Sequence, residues 1–123
     1  MNLLLDTHIL LWHLTDNPKL SREISRTIEN PQHKKFISIA SLWEVAIKRS
    51  LGKLEILQPI ETLTPTEITI LPLEISHISY LEKLPFHHRD PFDRIIIAQA
   101  IVEKLSVITN DDCFDYYEID LIK

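Results

Sequence analysis

Asp6, Glu44, Asp93 and Asp111 are the residues of this chain whose type and spacing point to chemistry. Asp6 ends the apolar run Leu3-Leu4-Leu5, and Asp111 follows the run Ser106 to Thr109 by two residues. Glu44 stands in the first turn of a helix expected over Leu42 to Ser50, and Asp93 in the first turn of one opened by Pro91. In open α/β sheets, residues beyond the carboxyl ends of the strands gather at one edge. Four acids scattered through the sequence would therefore meet. Ionised and ~6 Å apart at an effective dielectric near 20, their six pairs would cost on the order of 15 kcal/mol. That rivals the stability of a whole domain, so some must take up protons or a cation must bind. Oxygen donors with no cysteine and no obvious histidine among them favour Mg²⁺ or Mn²⁺ over zinc. Such ions activate water and stabilise charge on a scissile phosphate. Thr7 and Thr109 each adjoin a candidate acid and could hydrogen-bond a ligand carboxylate or a phosphate.

Most of these residues have a structural reading as well. Ser41 and Glu44 have the spacing of a capping box. Asp90 before Pro91 is a good N-cap, which leaves open whether Asp90 or Asp93 is the ligand. Asn110-Asp111-Asp112 fits an Asx turn, and Asp112 competes with Asp111. Asp6 is different, because a buried strand end has little use for an unpaired acid. His87 and His88 lack the spacing of a metal site. No Ser–His or Cys–His nucleophile arrangement is evident. Lys34-Lys35, Lys48-Arg49 and Lys53 could track a phosphate backbone. Trp12, Phe36, Trp43 and Phe92 suit core or interface positions.

The elements that must position the acids follow from apolar patterning. Strands are expected at Leu3–Leu5, Phe36–Ile39, Ile68–Leu71, Ser106–Thr109 and, shorter, Ile119–Ile122. Helices are expected from His8 to His13, Ser21 to Glu29, Leu42 to Ser50, Glu74 to Leu84, and from Pro91 through Ala100. Strands alternating with helices imply a parallel sheet with right-handed crossovers. The expectation is a single α/β/α sandwich over residues 1–123, with four or five strands.

Composition narrows the function. The one glycine, Gly52, excludes the glycine-rich loops that cradle phosphates. The one cysteine, Cys113, excludes a disulfide framework and a multi-cysteine zinc site, and fits a reducing cytoplasm. No apolar run is long enough to span a bilayer, and the basic leader of a signal peptide is missing. The net charge is −5, with eight basic and six acidic residues in 1–60 but five and twelve in 61–123. An acidic chain is a poor binder of nucleic acid unless bound cations offset its carboxylates.

The segments LLLDTHILLW (3–12), SIASLWEVAIKRSLGKL (38–54), HHRDPFDRIIIAQA (87–100) and VITNDDCFDYY (107–117) together resemble the PIN-domain family. The resemblance is closer to the VapC-type ribonuclease toxins of bacterial toxin–antitoxin pairs. It implies a PIN-like fold and a metal-dependent endoribonuclease with Asp6, Glu44, Asp93 and Asp111 as the acidic quartet. It also implies Thr109 as a small polar residue near the metal, an antitoxin partner and a homodimer. Two alternatives remain open at this point: a PIN-like nuclease working on RNA or DNA without an antitoxin, and a non-catalytic binding module.

Overall fold

The computed structural model describes residues 1–123. Five parallel strands form one sheet: β1 (Asn2–Leu5), β2 (Lys34–Ser38), β3 (Ile68–Leu71), β4 (Ser106–Ile108) and β5 (Leu121–Ile122). Their order is β3-β2-β1-β4-β5. Leu3, Leu4 and Leu5 of the central strand are fully buried. Alternation along the strand divides them between two cores. Leu3 and Leu5 pack with Ile9 and Leu10 of α1 (Thr7–Leu14), Ile24 and Ile28 of α2 (Arg22–Glu29), and Leu42 and Val45 of α3 (Ile39–Ser50). A short α4 (Ile60–Leu63) adds Leu63 to this core. Leu4 packs on the other side with Ile96, Ile97 and Ala100 of α6 (Pro91–Glu103). Tyr80 and Leu81 of α5 (Ile75–Leu81), and Phe114 and Tyr117 in and after a 3₁₀ turn (Asp112–Tyr116), complete that layer. The result is the expected α/β/α sandwich. No helix is long and apolar enough to cross a membrane.

Several boundaries differ from expectation. Helix α3 begins at Ile39, with Ser38 as N-cap accepting a bond from the Ala40 amide. The Ser41–Glu44 capping box therefore does not form. Its short polar start was hidden because Ile39 and Ala40 read equally well as strand. Helix α3 ends in a Schellman motif: Gly52 donates to the Arg49 carbonyl and Lys53 to that of Lys48. Gly52 has φ +70°, which explains the position of the one glycine. Helix α5 covers only Ile75–Leu81, and β5 only Leu121–Ile122.

The strand order places β1 beside β4 where the progression of strands reverses direction. The crevice beyond their carboxyl ends is the usual ligand site of such a sheet. Asp6 follows β1 there, and Thr109 and Asp111 follow β4.

Candidate metal centre

Asp6 is the N-cap of α1 with extended backbone (φ −62°, ψ 152°), yet its side chain makes no capping bond. The carboxylate turns into the crevice. Its Oδ2 accepts from the Thr109 hydroxyl at 2.9 Å, while Oδ1 is buried without a partner. Burial pushes the Asp6 carboxyl up from its ordinary range, and repulsion from Glu44 adds to the rise; the Thr109 hydroxyl and nearby His8 oppose it. Thr109 also accepts the Asp111 amide at 3.0 Å, so one hydroxyl joins the first acid to the last.

Glu44 lies in the second turn of α3, nearly buried. Its Oε2 meets Lys48 one helical turn on at 3.3 Å, and its Oε1 has no partner. Thr7 holds this helix in place by donating to the Ser41 hydroxyl at 2.8 Å, in a fully buried bond between α1 and α3. The bond ties the start of α1 to the helix that carries Glu44.

At the start of α6 two aspartates divide the work. Asp90 caps the helix, accepting from the amides of Phe92 (2.8 Å) and Asp93 (3.3 Å). Asp93 is left free for the crevice and accepts from His88 Nε2 at 2.7 Å. Burial pushes the Asp93 carboxyl up to about 7; the His88 bond opposes the rise, while Asp6 and Asp90 reinforce it. After β4, Asp111 accepts from the Cys113 amide at 2.9 Å, so the Asx turn is real. Asp111 also lines a cleft of about 420 Å³ with Asp6, His8, Trp12, Asn110 and Asp112. Asp112 faces solvent and pairs with Lys123. No three of the four predicted acids lie within 4.8 Å of one another; the donor groups that do are His88–Asp90–Asp93 and His88–Asp111–Cys113.

His88 is the residue the sequence concealed. Adjacent histidines in a loop look solvated, but this one is half-buried at the centre, so the surroundings of the carboxylates are not purely oxygen donors. Arg94 was also hidden. Its guanidinium is buried, donates to the carbonyls of Leu84 (3.4 Å), Pro85 (3.1 Å) and His88 (3.4 Å), and lies 4.3 Å from the centre of the Phe86 ring. Tyr117 supports the same loop by accepting the amides of His87 and His88 at 3.1 and 3.0 Å. On the other flank, Trp43 is mostly exposed and meets Phe92 edge-on at 5.1 Å. Lys34 and Lys35 lie at the start of β2, and Lys35 is buried with its ammonium on the Asn30 carbonyl. In a parallel sheet that is the end remote from the acids, so this pair does not track a phosphate at the crevice.

Two buried carboxylate oxygens without a partner, Asp6 Oδ1 and Glu44 Oε1, are the test of whether a cation fits. Each oxygen is buried without a hydrogen-bond partner, which is the environment an oxygen-seeking divalent ion would relieve. Asp6, Glu44 and Asp93 are the residues that would hold it, with Asp111 at the rim.

A small parallel sandwich with carboxylates at its switch point defines the class, an α/β domain with an acidic crevice. The chain belongs to the PIN domain family, whose profile matches residues 3–119. Among curated proteins none gives a significant sequence match. The fold is similar to a chain of VapBC2 from Rickettsia felis bound to a promoter DNA fragment, with TM-score 0.74 and 17% identity over 99% of this chain and 98% of that one. VapBC-1 from nontypeable Haemophilus influenzae gives 0.73 and 19% over 100% and 98%. A toxin–antitoxin complex from Klebsiella pneumoniae gives 0.64 and 21% over 98% and 95%.

Proposed function

We propose that this chain is a metal-dependent endoribonuclease, the toxin of a toxin–antitoxin pair, acting in the cytoplasm. The observation that carries the reading is Asp6: a buried N-cap aspartate that does not cap, with one oxygen held by Thr109 and the other unpartnered. Asp6, Glu44 and Asp93 would hold Mg²⁺ or Mn²⁺, with Asp111 assisting. Such an ion, when bound, supplies the positive charge that polarises a phosphodiester and acidifies an attacking water. The protein's part is placement. Thr109 fixes the Asp6 carboxylate, the Thr7–Ser41 bond ties α1 to the helix that carries Glu44, and His88 orients Asp93. No side chain is proposed as nucleophile.

The antitoxin partner is supported by the complexes whose fold this chain shares. An acidic crevice attracts a cationic side chain, and Arg suits it because its planar fork pairs with two carboxylate oxygens. Exposed Trp43, which adjoins Glu44 and meets Phe92, would receive an apolar segment of the same partner. A homodimer is part of the same reading. Digestion of total cellular RNA with and without EDTA, by wild type and Asp6→Asn, tests the activity. Cleavage that survives EDTA or the substitution refutes it. Co-expression with a candidate antitoxin, followed by pull-down, tests the partner.

A further inference from the structure

We propose that His88, Asp111 and Cys113 form a second cation site, one for a borderline-soft divalent ion such as Zn²⁺, on the rim of the carboxylate centre. His88 comes from the loop before α6, whereas Asp111 and Cys113 stand two residues apart where the turn after β4 enters the 3₁₀ segment. Their donor atoms nevertheless lie within 4.8 Å of one another, and all three residues are partly buried. Around a tetrahedral zinc, with Zn–S near 2.3 Å and Zn–N near 2.0–2.1 Å, the donors would sit about 3.5 Å apart. Binding would draw the three side chains together by about 1 Å.

The donor chemistry distinguishes this site from its neighbour. Thiolate and imidazole select zinc-like ions, whereas all-oxygen sites take Mg²⁺ or Mn²⁺. His88 Nε2 already engages Asp93, which leaves Nδ1 for an ion. A metal-bound histidine usually has just such a carboxylate behind it. The Cys113 amide donates to Asp111, so the backbone fixes these two ligands relative to each other. Arg94 and Tyr117 hold the loop that carries the third. Three protein donors leave a fourth position for water, as in open zinc sites. Cys113 binds as thiolate, and its proton is released to solvent when the ion enters. Asp111 belongs to both sites, so filling the soft site withdraws a ligand from the hard one.

The proposal stands on donor geometry and not on the ribonuclease reading, and one experiment keeps the two apart. Cobalt(II) is titrated into metal-free wild type, Cys113→Ser and Asp6→Asn, and the thiolate-to-cobalt charge-transfer absorption is followed. The band is expected in wild type and Asp6→Asn and absent in Cys113→Ser. In parallel, alkylation of Cys113 is timed in wild type with Zn²⁺ or Mg²⁺. At free Zn²⁺ ten times its Kd about one site in eleven is empty, so alkylation should slow about tenfold. Mg²⁺ should leave the rate unchanged. Absence of the band in wild type overturns the site, as does equal protection by the two ions. Loss of the band in Asp6→Asn would also overturn it, because the cysteine would then lie in no site separate from the carboxylates. Metal-independent RNA cleavage would refute the proposed function and leave this site standing.

Discussion

The proton affinity of Asp93 makes metal-free stability depend on pH in a direction opposite to that of most carboxylates. Burial raises its pKa from 3.8 to about 7, helped by Asp6 and Asp90. Below pH ~4 the carboxyl is protonated in both folded and unfolded chains. Between ~4 and ~7 the unfolded chain has lost this proton while the fold keeps it, so the fold binds more protons and stability falls as pH rises. At 1.36 kcal/mol for each pKa step, the loss is about 4 kcal/mol by pH 7–8. The side chain is only 13% exposed, so little of this is screened by solvent. Asp6, raised by the same burial, contributes in the same direction. Urea unfolding of metal-free protein at pH 5 and pH 8 measures the difference. About two of the three pKa steps lie between pH 5 and pH 8, so Asp93→Asn should remove about 2.7 kcal/mol of the measured difference, and Asp6→Asn/Asp93→Asn should flatten the dependence further. Mg²⁺ at 100 times its Kd should restore about 2.7 kcal/mol to wild type at pH 8, and much less to the double variant. A wild-type slope matched by Asp93→Asn would refute the assignment of this proton. Equal Mg²⁺ effects in both proteins would place the ion elsewhere.

Other substitutions probe separate parts of the centre. Asp90→Asn still caps α6 and should keep most RNA cleavage, whereas Asp93→Asn should lose it; a reversed ranking moves the ligand role to Asp90. Thr109→Val leaves Asp6 Oδ2 and the Asp111 amide without their partner, and should cost about 1–3 kcal/mol in urea unfolding as well as weakening Mg²⁺ binding. Arg94→Met removes a buried cation from its carbonyl partners and should cost about 2–4 kcal/mol. Its signature is faster amide hydrogen exchange at His87 and His88, and unchanged exchange there would deny Arg94 its hold on the loop.

Much of this fold was legible because its physics is local. Leu3-Leu4-Leu5 is apolar throughout, as a strand buried on both faces must be, and Pro91 after Asp90 fixes the start of α6. The order of elements then implied a parallel sheet and put Asp6 and Asp111 at one edge. What escaped depends on distant partners. Nothing near Ser41 shows that its hydroxyl meets Thr7 across 34 residues. Likewise, Arg94 resembles any helix-surface charge until the Leu84–His88 loop folds over it. His88 is the clearest case, since its adjacency to His87 suggested solvent. Its bond to Asp93 depends on a loop shape that Tyr117 sets from 29 residues away.

The bond between Asp6 and Thr109 spans 103 positions of the chain. Strand β1 is made well before its neighbour β4, which begins only at Ser106. Until that strand emerges, one edge of the central strand is unpaired and the Asp6 carboxylate lacks its anchoring hydroxyl. Contacts of such high sequence separation form late, because a long loop must close before they return any energy. Assembly of the crevice therefore waits until β4 has been made. A growing chain carrying every residue through α6 still lacks Thr109 and Asp111. The topology thus orders assembly: the crevice closes only after β4 has paired with β1, and until then Asp6 stands without Thr109.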